Sequence, residues 1–179
     1  TVGWPLVPSV DRSLYRGETS TAQVLRGAGD HPRVYWPTDL DGWNADHDAL
    51  HRVQFDYLTF DDFGPRRPGY WRGMREDQIP NVGMLDQVPS ANNFDPLLVD
   101  WYADLLDAAA EEPRLVRAMG VTHVASDRGW PRGERVRAGP LANVYRLPDA
   151  TGRVWVVNEA RRVPPQDALT AMRSPSFDP

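Results

Sequence analysis

The sequence predicts an α/β domain, with α+β as the neighbouring class: a mixed β-sheet with packed helices, joined by long Pro/Gly-rich loops. Three observations lead there. Leu97, Leu98, Trp101, Tyr102, Leu105 and Leu106 recur at helical spacing, with Asp100, Asp104 and Asp107 between them, which is the pattern of a half-buried helix. A second helical stretch from Pro113 runs into Gly120 and then directly into Val121-Thr122-His123-Val124-Ala125, a helix–Gly–strand succession typical of α/β packing. Short β-branched and aromatic runs, Arg33-Val34-Tyr35-Trp36 and Asn143-Val144-Tyr145-Arg146-Leu147, are bounded by Pro or Gly.

Taken in chain order, the first 20 residues read as irregular, broken by Pro5, Pro8 and Gly17. Thr19-Ser20-Thr21 predicts the cap of a short helix through Leu25, stopped by Gly27 and Gly29. The strand at 33–36 ends at Pro37. Residues 37–80 read as largely irregular, apart from an alternating strand candidate around Val53, Phe55 and Tyr57; Pro65, Pro68 and Gly69 predict a loop over 63–80. Asp95 and Pro96 have the chemistry of an N-cap and a first helical position for the helix that follows. Residues 143–147 and 153–157 predict a hairpin across Pro148-Asp149-Ala150-Thr151-Gly152, and Gln166 to Met172 a last short helix.

Size and composition narrow the function. At 179 residues the chain is expected to be one domain, residues 1–179, with 41% hydrophobic residues to build its core. Its net charge of −5 leaves no diffuse basic field, so nucleic acid is not an expected partner. All 20 basic residues are Arg. The absence of Cys removes thiolate nucleophiles and Cys-ligated zinc. No apolar run approaches the ~20 residues of a spanning helix.

Candidate chemistry is sparse. His47 and His51 stand four apart, as in zinc-protease helices, but the general-base Glu of that motif is missing. Asp39, Asp41, Asn44 and Asp46 alternate like calcium ligands; the turn Gly comes two positions early and no Glu closes the loop, so an Asx-rich surface loop is the plainer reading. His123 and Ser126, with Asp127, stand at the carboxyl end of a strand, where α/β proteins place ligands, yet alternation sends His123 and Ser126 to opposite faces. Arg66, Arg67, Tyr70 and Trp71 are the most ligand-like surface segment: guanidinium forks suit phosphate, and aromatic faces stack on sugars. Against that stands a structural role, pairing with the seven Asp of residues 38–62. No phosphate loop, dinucleotide fingerprint or nucleophile elbow occurs, and no catalytic residue or cofactor is assigned.

An ordered series from residue 80 carries a resemblance. It runs Pro80-Asn81-Val82-Gly83-Met84-Leu85, Pro89-Ser90-Ala91-Asn92-Asn93-Phe94-Asp95-Pro96-Leu97, Trp101-Tyr102, Met119-Gly120-Val121-Thr122-His123-Val124 and Asn143-Val144-Tyr145-Arg146-Leu147-Pro148. It ends in Val156-Val157-Asn158-Glu159-Ala160-Arg161-Arg162-Val163 and Ser174-Pro175-Ser176-Phe177-Asp178-Pro179. Together these resemble the extracytoplasmic portion of YfhO-like bacterial membrane proteins, which are related to C-type, polyprenyl-phosphate-sugar-dependent glycosyltransferases. The family pattern begins with a Pro-Asn strand, and Asn93-Phe94 stands where Gly-Tyr is usual. The resemblance implies a non-catalytic extracytoplasmic domain that shapes or binds the acceptor or partner side of a multi-pass glycosyltransferase-like protein. It would be tethered to the cell membrane by transmembrane helices outside this chain. The partners implied are the remainder of that protein and a glycan or lipid-linked sugar, with Asn92 and Asn93 joining Arg66, Arg67, Tyr70 and Trp71 as binding candidates. The alternative reading is a free-standing carbohydrate- or calcium-binding module.

Overall fold

Successive residues of the central strands face opposite cores, and that alternation defines the architecture. The computed structural model describes residues 12, 15–29, 31–37, 68–92, 98–126, 129–139, 142–151 and 154–178, with residues 68–71 described by their backbone alone. Four strands, β1 (Val34–Tyr35), β2 (His123–Ser126), β3 (Glu134–Ala138) and β4 (Asn143–Arg146), form one sheet in the order β1-β2-β4-β3. β1 runs parallel to β2, while β4 is antiparallel to both β2 and β3, so the sheet is mixed. On one face Val34, Ala125 and Val144 pack with Ala22, Leu25, Met74 and Ile79. Tyr35 and Val124 on the other face pack with Leu106, Ala109, Leu115, Val116 and Trp130, with Tyr145 partly buried against them. β1 and β2, at the middle of this packing, are buried at every position, as strands covered on both faces are.

The helices that cover the first face are α1 (Ser20–Gly27) and α2 (Pro68–Glu76), and the second face is covered by α3 (Asp100–Glu111), α4 (Leu115–Ala118) and α5 (Ala168–Arg173). Thr19 caps α1, its hydroxyl accepting from Ala22 N at 3.1 Å. Gly120, at φ 63°, turns the chain out of α4 and toward β2, where a residue with a Cβ would be strained. Gly139 after β3 is required by space instead: a Cβ there would stand 2.2 Å from Asp77 Oδ1 and 2.3 Å from Ala142 O.

Four sequence expectations are corrected. The segment 63–80 is not a loop throughout, and 37–80 is not irregular throughout, because Pro68 begins the helix α2. Pro at the first helical position lacks only an N–H that would have had no intrahelical partner. Next, α3 starts at Asp100 rather than Pro96, with Val99 extended before it (φ −73°, ψ 139°). Trp101 therefore falls in the first turn at the margin of the buried stripe and is 70% exposed. The hairpin partner of β4 is β3, not 153–157; Val154–Val157 form no strand. Finally, the Pro-Asn strand of the resemblance is replaced by a 3₁₀ segment, Val82–Asp86.

Candidate functional site

A cavity of about 450 Å³ opens where the end of α3 and α4 meet the turns before β3 and after β4. Val116, Trp130 and Leu147, all buried, supply its apolar floor. Trp130 is held edge-on against Tyr35, with ring centroids 6.2 Å apart and planes at 74°, so its ring orientation is fixed from below. Burial, with Asp107 adding to it, pushes the Tyr35 phenol far above its usual range; its hydroxyl donates to Leu106 O at 3.0 Å and stays neutral.

The rim carries charges of both signs, and most are already engaged. Arg114 binds Glu112 at 2.8 Å and Ser174 O at 2.7 Å. Arg173 of α5 binds Glu111 and Glu112 at 2.8 and 2.7 Å, and the two arginines hold the Glu112 carboxyl below its usual range. Arg117 donates to Asp149 O at 2.9 Å and reaches the exposed Asp178 at 3.4 Å. These contacts fasten residues 173–178 beside the cavity. Two rim side chains make no hydrogen bond or ion pair among the described residues, Arg132 and the carboxylate of Asp149.

Arg132 is positioned by a tight turn. Trp130-Pro131-Arg132-Gly133 closes with Gly133 N donating to Trp130 O at 3.1 Å, and Arg132 sits at φ 60°. Pro followed by a left-handed residue is the pattern of a type II turn, whose third position favours Gly. An Arg held there is a backbone cost of about 1 kcal/mol at a cavity rim.

A fixed indole, with a guanidinium and a carboxylate that are unengaged among the described residues, around an apolar floor suits a neutral polyhydroxylated ligand. An apolar wall suits the C–H face of a sugar ring, and fork donors and carboxylate acceptors suit adjacent hydroxyls. Nothing in the primary structure singled these residues out: Trp130, Arg132 and Asp149 come from two separate turns, and only the β3–β4 pairing brings them together.

The residues singled out by sequence fall elsewhere. Arg66, Arg67, Asn93, Asp39, Asp41, Asn44, Asp46, His47, His51 and Asp127 lie outside the described residues, as does the strand candidate at 53–58. Tyr70 and Trp71 are on α2. Asn92 is 5% exposed, with its amide engaged on both sides: Oδ1 accepts from Trp36 N at 2.9 Å and Nδ2 donates to Trp36 O, as a neighbouring strand would. His123 is buried on the first face of β2, and Ser126, one place past Ala125, belongs to the opposite face. Burial, helped by the nearby Arg146 charge, lowers the His123 pKa to about 4, so the imidazole is neutral at pH 7. Its Nδ1 lies 2.9 Å from Thr122 Oγ1, whose own proton goes to Arg33 O at 3.2 Å. That assigns the proton to Nδ1 and leaves Nε2 a buried acceptor without a partner among the described residues.

A second polar constellation sits at the start of α1. Asp86 accepts from Arg75 at 2.5 and 3.2 Å, from Gln78 at 3.1 Å and from the Thr19 hydroxyl at 3.2 Å, all within the protein interior. Glu76 accepts from the backbone N–H of Ser20 and Thr21 and from both their hydroxyls at 2.9–3.2 Å. Burial pushes the Glu76 carboxyl up, but these four donors outweigh it and hold it below its usual range. Two carboxylates thus satisfy the first N–H groups of α1, leaving that helix end occupied by the chain itself.

Among the described residues no group of three or more His, Asp and Glu side chains is placed to hold a metal ion, and no helix is long and apolar enough to cross a membrane. Comparison with known protein families, curated proteins and solved structures finds no match to this chain.

Proposed function

We propose that this chain is a non-catalytic binding domain, the extracytoplasmic portion of a YfhO-like, glycosyltransferase-related membrane protein, and that it engages the acceptor glycan in the cavity at the end of α3. The observation that carries the reading is that Arg132 and Asp149, unengaged among the described residues, line the same cavity as the anchored Trp130 indole. Every other charged group of the rim is tied into the α3–α4–α5 corner, which makes the cavity wall rigid before any ligand arrives. Preformed walls with few convergent polar groups are the usual form of a small-ligand site. Membership of the family rests on the ordered series from residue 80 and agrees with the α/β architecture, though not with the expected strand at 80–85.

Titration calorimetry with cellotriose, chitotriose and galactotriose tests the binding. At least one is expected to bind in the range of roughly 0.1–1 mM, and Asp149→Ala should weaken it about tenfold, the loss of one charge-assisted hydrogen bond. Absence of heat with all three, or binding untouched by Asp149→Ala, contradicts the reading. The tether is tested separately, by reading the encoding gene on either side of this chain for hydrophobic segments of spanning length.

A further inference from the structure

Residues 164–178 are attached to the rest of the fold mainly by charge. The chain reaches them through 154–163, a stretch that makes no backbone–backbone hydrogen bond among the described residues. No residue from 154 to 178 is buried; Leu169, Met172 and Phe177 are only partly covered by the second core. Arg173 binds Glu111 and Glu112 at the end of α3, and Asp178 faces Arg117 of α4 in the opposite polarity. Arg114 donates to the carbonyls of Arg173 and Ser174, which caps the C-terminal end of α5. The side chains of Arg173, Glu111 and Asp178 are 44, 65 and 86% exposed, so dissolved ions reach these contacts and screen them. With six residues, α5 falls well short of the ~12–15 that an isolated helix needs in water, so it is helical only while docked.

We propose that residues 164–178 form a latch that releases from α3 and α4 as one unit, with the sheet intact, and that ionic strength sets how often it is open. An element with few buried apolar contacts and exposed backbone opens at a lower free energy than the fold as a whole. Undocking separates ion pairs of both polarities at once and takes the Arg114 cap from α5, so release and melting of that helix are one event. It also takes from Glu111, Glu112 and Arg114 their partners in 173–178, and all three line the cavity. That wall is therefore fixed only while the latch is closed, the state seen here. The inference needs no ligand and stands apart from the glycan and family readings.

Amide hydrogen exchange on the full chain, resolved by residue, tests it at about 0.01 M and about 1 M NaCl, between which the Debye length falls from ~30 to ~3 Å. The reporters are the amides of Asp167, Ser174 and Phe177, each donating within the segment at 2.9–3.2 Å. They are expected to share one opening constant, larger than that of the β2 and β4 amides. High salt should speed all three by roughly three- to tenfold and leave the sheet amides unchanged. Low urea should do the reverse, because the latch exposes little surface on opening and global unfolding exposes much. Arg173→Ala should speed the three reporters by roughly three- to tenfold at low salt and shrink their salt response, with the sheet amides as the check that the variant is folded. Asp167 moving together with Phe177, from the other side of α5, separates a latch from a fraying end. Reporters that exchange only with the sheet, that show no protection, or that speed up stepwise toward residue 178 each overturn the proposal. So does a wild type indifferent to salt, or an Arg173→Ala chain that exchanges like the wild type.

Discussion

His123 shows what burial does to one titratable group. Its folded pKa, about 4, lies below that of an exposed imidazole, so between pH 6.5 and 4 the unfolded chain binds a proton that the folded one refuses. Stability is complete above the unfolded pKa and falls as pH drops through that window, by up to about 3 kcal/mol for a shift of this size. Urea melts at pH 7 and pH 4.5 measure it, and His123→Leu should flatten the difference over that range. At Asp86, removing the charge takes away the carboxylate paired with the buried Arg75 guanidinium, and Asp86→Asn is expected to cost ~3 kcal/mol in the same assay. Arg132 behaves in the opposite sense. With its φ at 60°, Arg132→Gly should stabilise the fold by up to about 1 kcal/mol while weakening ligand binding at the rim. A gain in melting temperature coupled to a loss of affinity is the signature of a residue retained for function rather than for folding.

At the scale of elements, periodic and capped segments were legible and segments defined by tertiary pairing were not. Thr19 announces α1, Gly120 announces the exit from α4, and Val34-Tyr35 carries its strand in its composition. By contrast α2 has Pro68 and Gly69 in its first turn, and local punctuation there reads as a loop until Arg75 and Glu76 are seen bonded to Asp86 and to the start of α1. β3 is Glu-Arg-Val-Arg-Ala, polar because it is an edge strand with a bulge between Arg135 and Arg137, so no apolar run marks it. The Val154–Val157 run has the better strand composition, which is why it reads from sequence as the partner of β4, yet it forms no strand with the described residues. Glu76 belongs at this scale too: Glu76→Ala removes the acceptor for four donors at the head of α1. A loss of about 1–2 kcal/mol is expected, with α1 amides losing hydrogen-exchange protection before the sheet does.

For the whole molecule, the sheet divides the labour of its two sides. The face toward α1 and α2 is sealed by an internal polar network centred on Asp86, which accepts from Thr19, Arg75 and Gln78. Toward α3, α4 and α5 the packing leaves a cavity, and the unengaged charges of its rim lie there. Candidate site residues were illegible because the cavity is assembled from turn residues whose types are ordinary singly. The central claim is that ligand binds against the Trp130 indole without being transformed. Proton–nitrogen correlation spectra of the seven indole N–H groups, with Trp130 assigned through Trp130→Phe, test it during titration with the three trisaccharides. The account predicts a saturable shift of the Trp130 signal with every sugar resonance unchanged after prolonged incubation; shifts confined to other indoles, or the appearance of product resonances, would contradict it.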